Sequence, residues 1–194
     1  TALAVSSGRG GDSFIWVSCD SVAVPLKTLQ SARRKLAELA PGFPAEKLII
    51  NATHTHDAPD LDGGWYPPVP AGVMTPAEYS EFFAERVAEA AAESWKGREP
   101  GFVAWAMSYA VAGHGRRALY FDDLRKRPGY SERAGTSMET NARMYGNTAD
   151  PQFKAIEGYA DHSVHFLFTF DKARKLTGAI VNIACPSQET ESLN

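Results

Sequence analysis

A strand, helix, strand order near the start of the chain constrains its fold most. Phe14-Ile15-Trp16-Val17-Ser18-Cys19 is an apolar run rich in β-branched and aromatic residues, bounded by turn residues. Behind it Pro25 suits a first helical position, and Leu26, Leu29, Ala32, Leu36 and Leu39 recur on one helical face until Pro41-Gly42 ends the pattern. Lys47 to Ala52 then reads as a buried strand. Parallel strands need a long connection, so this order predicts a parallel pair with a right-handed helical crossover. In front, Leu3 to Ser6 reads as a strand, and the glycines of Gly8-Arg9-Gly10-Gly11-Asp12 suit a turn that pairs it with Phe14 to Cys19 as a hairpin.

A second helix is announced by Thr75-Pro76-Ala77-Glu78, which has the cap, the first-turn proline and the third-position Glu of a capping box. It should run to about Trp95 with Phe82, Phe83, Val87, Ala90 and Ala91 as its apolar face, and Lys96-Gly97 closes it. Phe102 to Ala112 reads as a strand, and Phe166 to Phe170 and Thr177 to Ala184 read as a hairpin, with Gly113 to Ala160 irregular between them. No repeat, low-complexity tract or linker divides the sequence. The expectation is a single α/β domain over 1–194, a mixed sheet with flanking helices, forming part of a larger catalytic domain. With no initiator Met and no closing element, the chain reads as a fragment incomplete at both ends.

Composition narrows the function classes. The 194 residues are 44% hydrophobic and 22% charged, an ordinary globular balance. The formal charge of −3, from 20 basic and 23 acidic side chains, makes nucleic acid an unexpected partner. No apolar stretch is long enough to span a membrane, and no signal peptide is recognisable. Two cysteines are too few for a disulfide framework, and Cys19, at the end of an apolar strand, reads as a small core residue.

Chemistry concentrates where the Leu48-Ile49-Ile50 run ends, in Thr53-His54-Thr55-His56-Asp57. If the strand continues, side chains two apart share a face, so both imidazoles meet one metal ion or one substrate. The same pair also fits two polar side chains at a solvated strand end. Ligands of open α/β sheets bind beyond the carboxyl ends of the strands, which predicts His54 at the floor of a cleft. The loop from Asp57 to Gly72, with four prolines, three glycines, Trp65 and Tyr66, would wall it.

Other candidates are weaker. Cys185, in Asn182-Ile183-Ala184-Cys185-Pro186, sits where a strand gives way to a polar segment, so its sulfur is either packed or a zinc ligand. Glu189 and Glu191 offer a carboxylate or solvated surface. Arg116 and Arg117 point to opposite faces if extended, so at most one enters a site, where its fork suits a carboxylate or phosphate, or they form a salt-bridged surface pair with Asp122 or Asp123. Arg125-Lys126-Arg127 reads as a solvated turn, and His162 and His165 would fall on opposite faces.

Taken in order, Thr53-His54-Thr55-His56 with Ala58-Pro59, the capped helix, Arg116-Arg117 and the strand ending at Cys185-Pro186 resemble the N-terminal catalytic domain of the neutral/alkaline (non-lysosomal) ceramidases. The anchor resembles that family's Thr-His-Thr-His-Ser-Gly-Pro signature, and the paired arginines its Asn-Arg-Arg segment. Asp57 stands in place of Ser, Ala58 of Gly, and Gly115 of Asn.

The resemblance implies a zinc-dependent hydrolase in which metal-activated water attacks an N-acyl amide of a lipid. It implies His54 as a zinc ligand and His56 as a neighbouring active-site group that hydrogen-bonds the reacting centre or substrate; in such a site His56 or Asp57 would shuttle the proton to the leaving group. Arg116, Arg117 and Trp65 would contact a small-molecule or lipid substrate, and Cys185 takes the place of a second zinc-ligating His. Its sulfur is then expected about 4 to 5 Å from a His54 ring nitrogen, as for two ligands of one tetrahedral ion. The family's remaining Glu and Tyr ligands would follow residue 194, and the family implies a secreted or periplasmic location. A reshaped pocket acting on an ester or glycoside, or a binding domain that keeps the fold without catalysis, stays open.

Overall fold

The computed structural model describes residues 1–8, 11–64, 67–129 and 140–187. Its contacts divide the chain into two compact units, 1–102 with 169–178 and 186–194, and 103–168 with 179–185. The elements are α and β mixed, as the sequence predicts.

In the first unit β1 (Ala2–Ser6) and β2 (Ser13–Cys19) form the expected antiparallel hairpin, and β3 (Leu48–Ala52) lies parallel to β2. Val17 stands opposite Ile50 and Cys19 opposite Ala52, so the carboxyl ends of β2 and β3 share one rim. The crossover is α1 (Leu26–Leu39), followed by a 3-10 turn over Ala45–Lys47. Pro25 is the cap residue, with extended backbone, rather than the first helical residue.

The second helix, α2 (Pro76–Lys96), carries the complete capping box: Glu78 N–H donates to Thr75 Oγ1, and the Glu78 carboxylate accepts from Thr75 N–H. Ile15, Val17, Leu36, Leu48, Phe83, Ala84, Val87, Ala88 and Ala91 make one core between the sheet and the helices. The helices meet along polar as well as apolar positions: Thr28 and Ser80 are buried and hydrogen-bonded to each other at 2.7 Å. The expected faces hold in their middle, with Ala32 and Leu36 of α1 and Phe83, Val87 and Ala91 of α2 buried, and depart from expectation elsewhere. Thr28, Ser31, Ala32 and Leu36 are the buried residues of α1, and Leu26 and Leu39 are exposed. In α2 the small residues Ala84, Ala88 and Ala92 take the inner stripe, whereas Phe82 faces outward beneath the Arg86 guanidinium, 5.5 Å from its ring centroid.

Most of the other strands belong to the second unit. β4 (Phe102–Tyr109), β8 (Ser163–Phe170) and β9 (Leu176–Ile183) form a sheet in the order β4-β8-β9. β4 stops three residues short of Ala112 and shows no alternation of burial, since all eight of its residues are exposed.

The segment expected to be irregular instead contains β5 (Arg117–Tyr120), β6 (Ala142–Met144) and β7 (Phe153–Ile156), antiparallel in the order β6-β5-β7. Buried Ala118, Tyr120 and Leu124 form its small core. Arg127 is no solvated turn residue: its guanidinium bridges Asp122 and Asp150 and lies 4.9 Å from the Tyr120 ring centroid. Hydrogen bonds to Asp122 and then Asp150 raise the Arg127 pKa, and burial pushes the Tyr120 phenol up.

Candidate functional site

The histidine pair is built on the shared rim of β2 and β3. β3 ends at Ala52, and His54 adopts left-handed backbone with φ +61°, so the strand alternation expected to align His54 and His56 does not continue. Such a φ is uncommon and strained for a residue with a Cβ, and it persists where the surroundings hold it. Here the turn after β2 holds it. Thr53 N–H donates to Cys19 O at 3.0 Å and His54 N–H to Ser21 O at 3.0 Å. Thr53 Oγ1 donates to Asp20 Oδ1 at 3.1 Å, and His54 Nδ1 donates to Val22 O at 2.6 Å. Beyond them Ser187 N–H donates to Thr53 O at 2.8 Å.

The imidazoles do come together, by a route other than the one the sequence suggests. Their centroids are 5.2 Å apart with the planes at 81°. Because a carbonyl only accepts, the bond to Val22 puts a proton on Nδ1 of His54, and the neutral ring then carries its lone pair on Nε2. Both histidines are exposed, as is Asp57, whose N–H donates to Thr55 Oγ1 at 3.2 Å. Cys19, packed against the core behind them, is half-buried, and burial raises its thiol pKa.

The loop after the pair walls a cavity of about 820 Å³ together with the first turn of α2. Its lining begins at Ala58 and includes Pro59, Val69, Met74, Pro76 and Tyr79, and neither imidazole belongs to it. His54 is therefore not at the floor of this cleft. Its positive φ turns the chain out of the strand direction before the loop begins. Trp65, expected at the substrate, lies outside the described residues, as do Glu189 and Glu191.

The other candidates belong to the second unit. Arg116 and Arg117 do separate, but not towards Asp122 or Asp123. Arg116 donates to Tyr145 Oη and lies 5.1 Å from that ring's centroid, while Arg117 Nε pairs with Glu157 at 2.8 Å. Asp122 and Asp123 are engaged by Arg127 and Arg125 instead. Cys185 is exposed, and its Sγ lies 3.5 Å from the Ala112 carbonyl oxygen.

The donor chemistry fits a zinc ion in part. Two neighbouring imidazoles are suitable donors, and a backbone carbonyl on the second nitrogen is one of the common partners of a metal-ligating His. Among the described residues, no group of three or more His, Cys, Asp or Glu side chains could hold a metal ion. Sequence reasoning missed the Asp20–Val22 turn. Its signal was polar Asp20-Ser21 directly behind the apolar strand that pairs in parallel with the one leading to His54.

No family model and no curated protein matches this chain. Among solved structures it resembles a neutral ceramidase from Pseudomonas aeruginosa, with 18% identity and a TM-score of 0.53, over 93% of this chain and 25% of that one. A ceramidase complexed with C2 is similar to the same degree, at 18% identity and a TM-score of 0.53, over 93% of this chain and 24% of that one. The chain thus spans about a quarter of the length of these ceramidases. At this identity the likeness is one of fold, and it is the fold of part of a ceramidase that the chain shares.

Proposed function

We propose that this chain contributes the histidine-bearing part of the catalytic region of a zinc-dependent hydrolase of ceramidase type, acting on an N-acyl amide. The observation that carries the reading is His54: strained backbone, Nδ1 tied to Val22 O at 2.6 Å, and its ring edge-on to His56. The fold shared with neutral ceramidases supports it.

His54 would bind zinc through Nε2, because Nδ1 is occupied by Val22 O. Cys185, by resemblance to the ceramidases, is the further ligand proposed from this chain. The ion would polarise the amide carbonyl and activate water for attack. His56, exposed and adjacent, would move the proton to the departing amine, with Asp57 as the neighbouring carboxylate. Arg116 and Arg117 would serve the substrate, each at the cost of its present partner, Tyr145 or Glu157.

Hydrolysis of an N-acyl sphingoid amide by the purified protein, before and after chelation and after zinc is restored, tests the reading. Activity lost on chelation and recovered with zinc is expected. A well-folded protein inactive in both states contradicts it and leaves a binding domain.

A further inference from the structure

We propose that the Asp20–Val22 turn is the orienting mount of His54, that it locks the ring as the Nδ1–H tautomer, and that Asp20 is a positioning residue within it. The use of that tautomer rests on the zinc-hydrolase reading, whereas the tautomer itself rests on geometry alone.

Cys19, at the end of β2, and the three residues of the turn face two residues of the histidine segment. Cys19 O and Ser21 O accept the N–H groups of Thr53 and His54, both at 3.0 Å. Asp20 Oδ1 accepts the Thr53 hydroxyl at 3.1 Å, and Val22 O accepts His54 Nδ1–H at 2.6 Å. The turn is itself braced, since Ser21 is buried at 3% exposure and donates its hydroxyl to Ala23 O at 3.0 Å. Backbone acceptors cannot rotate away, so the lone pair of Nε2 is aimed before any ligand arrives.

Asp20 supplies the side-chain tie of this mount to Thr53. Without it, Thr53 and the strained residue after it depend on the three backbone bonds, and the short Nδ1–Val22 bond loses its alignment. The ring can then take the Nε2–H form that unrestrained histidine prefers, which buries the donor lone pair against the protein. Outer partners of metal-binding histidines typically change metal affinity about 10–100-fold when removed.

The test uses the full chain, metal-free, at a pH where the ring is neutral, with nitrogen chemical shifts reporting the tautomer and circular dichroism reporting folding. The native protein should show His54 protonated at Nδ1. Asp20→Ala and Thr53→Val should shift it towards Nε2–H, and Asp20→Asn and Thr53→Ser, which keep an acceptor and a hydroxyl, should restore the native form. Zinc alone, titrated into each, should bind about 10–100-fold more weakly to the first two. Should Asp20→Ala fail to fold, Thr53→Val decides. An unchanged tautomer in the folded disruptive variants overturns the mount, whether or not zinc binds. A shifted tautomer in a protein that takes up no zinc in its native form upholds the mount and removes the zinc-hydrolase reading.

Discussion

The Nδ1 atom of His54 lies 2.6 Å from the carbonyl oxygen of Val22, across the rim where β2 and β3 end in parallel. That bond unites fold and chemistry: the parallel pair brings a turn from one strand beneath a histidine from the other. The residue so held has φ +61°. Left-handed backbone costs roughly 1–2 kcal/mol for a residue with a Cβ. We expect His54→Gly, which removes that strain, to be more stable than His54→Ala by about 1 kcal/mol, within the spread of such effects. Urea melts of the two variants check this, and equal midpoints would argue against a strained backbone.

The cap of α2 should be separable from the site. Thr75→Ala removes the acceptor for Glu78 N–H and is expected to cost about 1 kcal/mol, typical of a lost N-cap. Denaturant midpoints measure it, and zinc binding should be unchanged.

The same cap gives a pH dependence. Hydrogen bonds from Thr75 N–H and Oγ1 hold the Glu78 carboxyl below its ordinary pKa. The unfolded chain therefore takes up this proton first as pH falls. The contribution is fully present above the unfolded value, about 4.3, and is lost as pH drops through the lower folded value. Melts from pH 6 to pH 3 should show a steeper loss of stability for the native protein than for Glu78→Gln.

In the second unit, a Cβ added to Gly146 would collide with Tyr120 Oη and Ala118 Cβ, both part of a tightly closed core. Gly146→Ala is expected to destabilise by about 1–3 kcal/mol, the usual cost of overpacking. Limited proteolysis and a thermal melt check it, and a neutral result would mean that this small sheet yields readily.

Much of this was legible because it is local. The Thr75–Glu78 box names its own helix start, and Phe14–Cys19, the α1 period and Leu48–Ala52 name a β-α-β unit. What escaped is non-local. β5, β6 and β7 are three or four residues each, too short for a periodic signal, and exist through pairings such as Ala118 with Arg143 and Ile156. Phe82 looked like core, but the Thr28–Ser80 bond fixes α2 so that Phe83 and Ala84 face inward. Arg127 looked like turn decoration, yet its partner Asp150 lies 23 residues away. His54 and His56 were legible as a pair through their spacing. The reason they meet was not, because the conformation of His54 is set by carbonyls of residues 21 and 22 on another strand's turn.

Metal content is the most direct test of the central claim. Elemental analysis of the purified full-length protein, with a parallel zinc titration of the chelated form, should give about one zinc per chain. That zinc should be largely lost in His54→Ala and weakened in Cys185→Ser, with His56→Ala keeping the metal but losing hydrolysis. A native protein that is well folded by circular dichroism, purifies without zinc and takes up none at concentrations far above that of the protein would contradict the account.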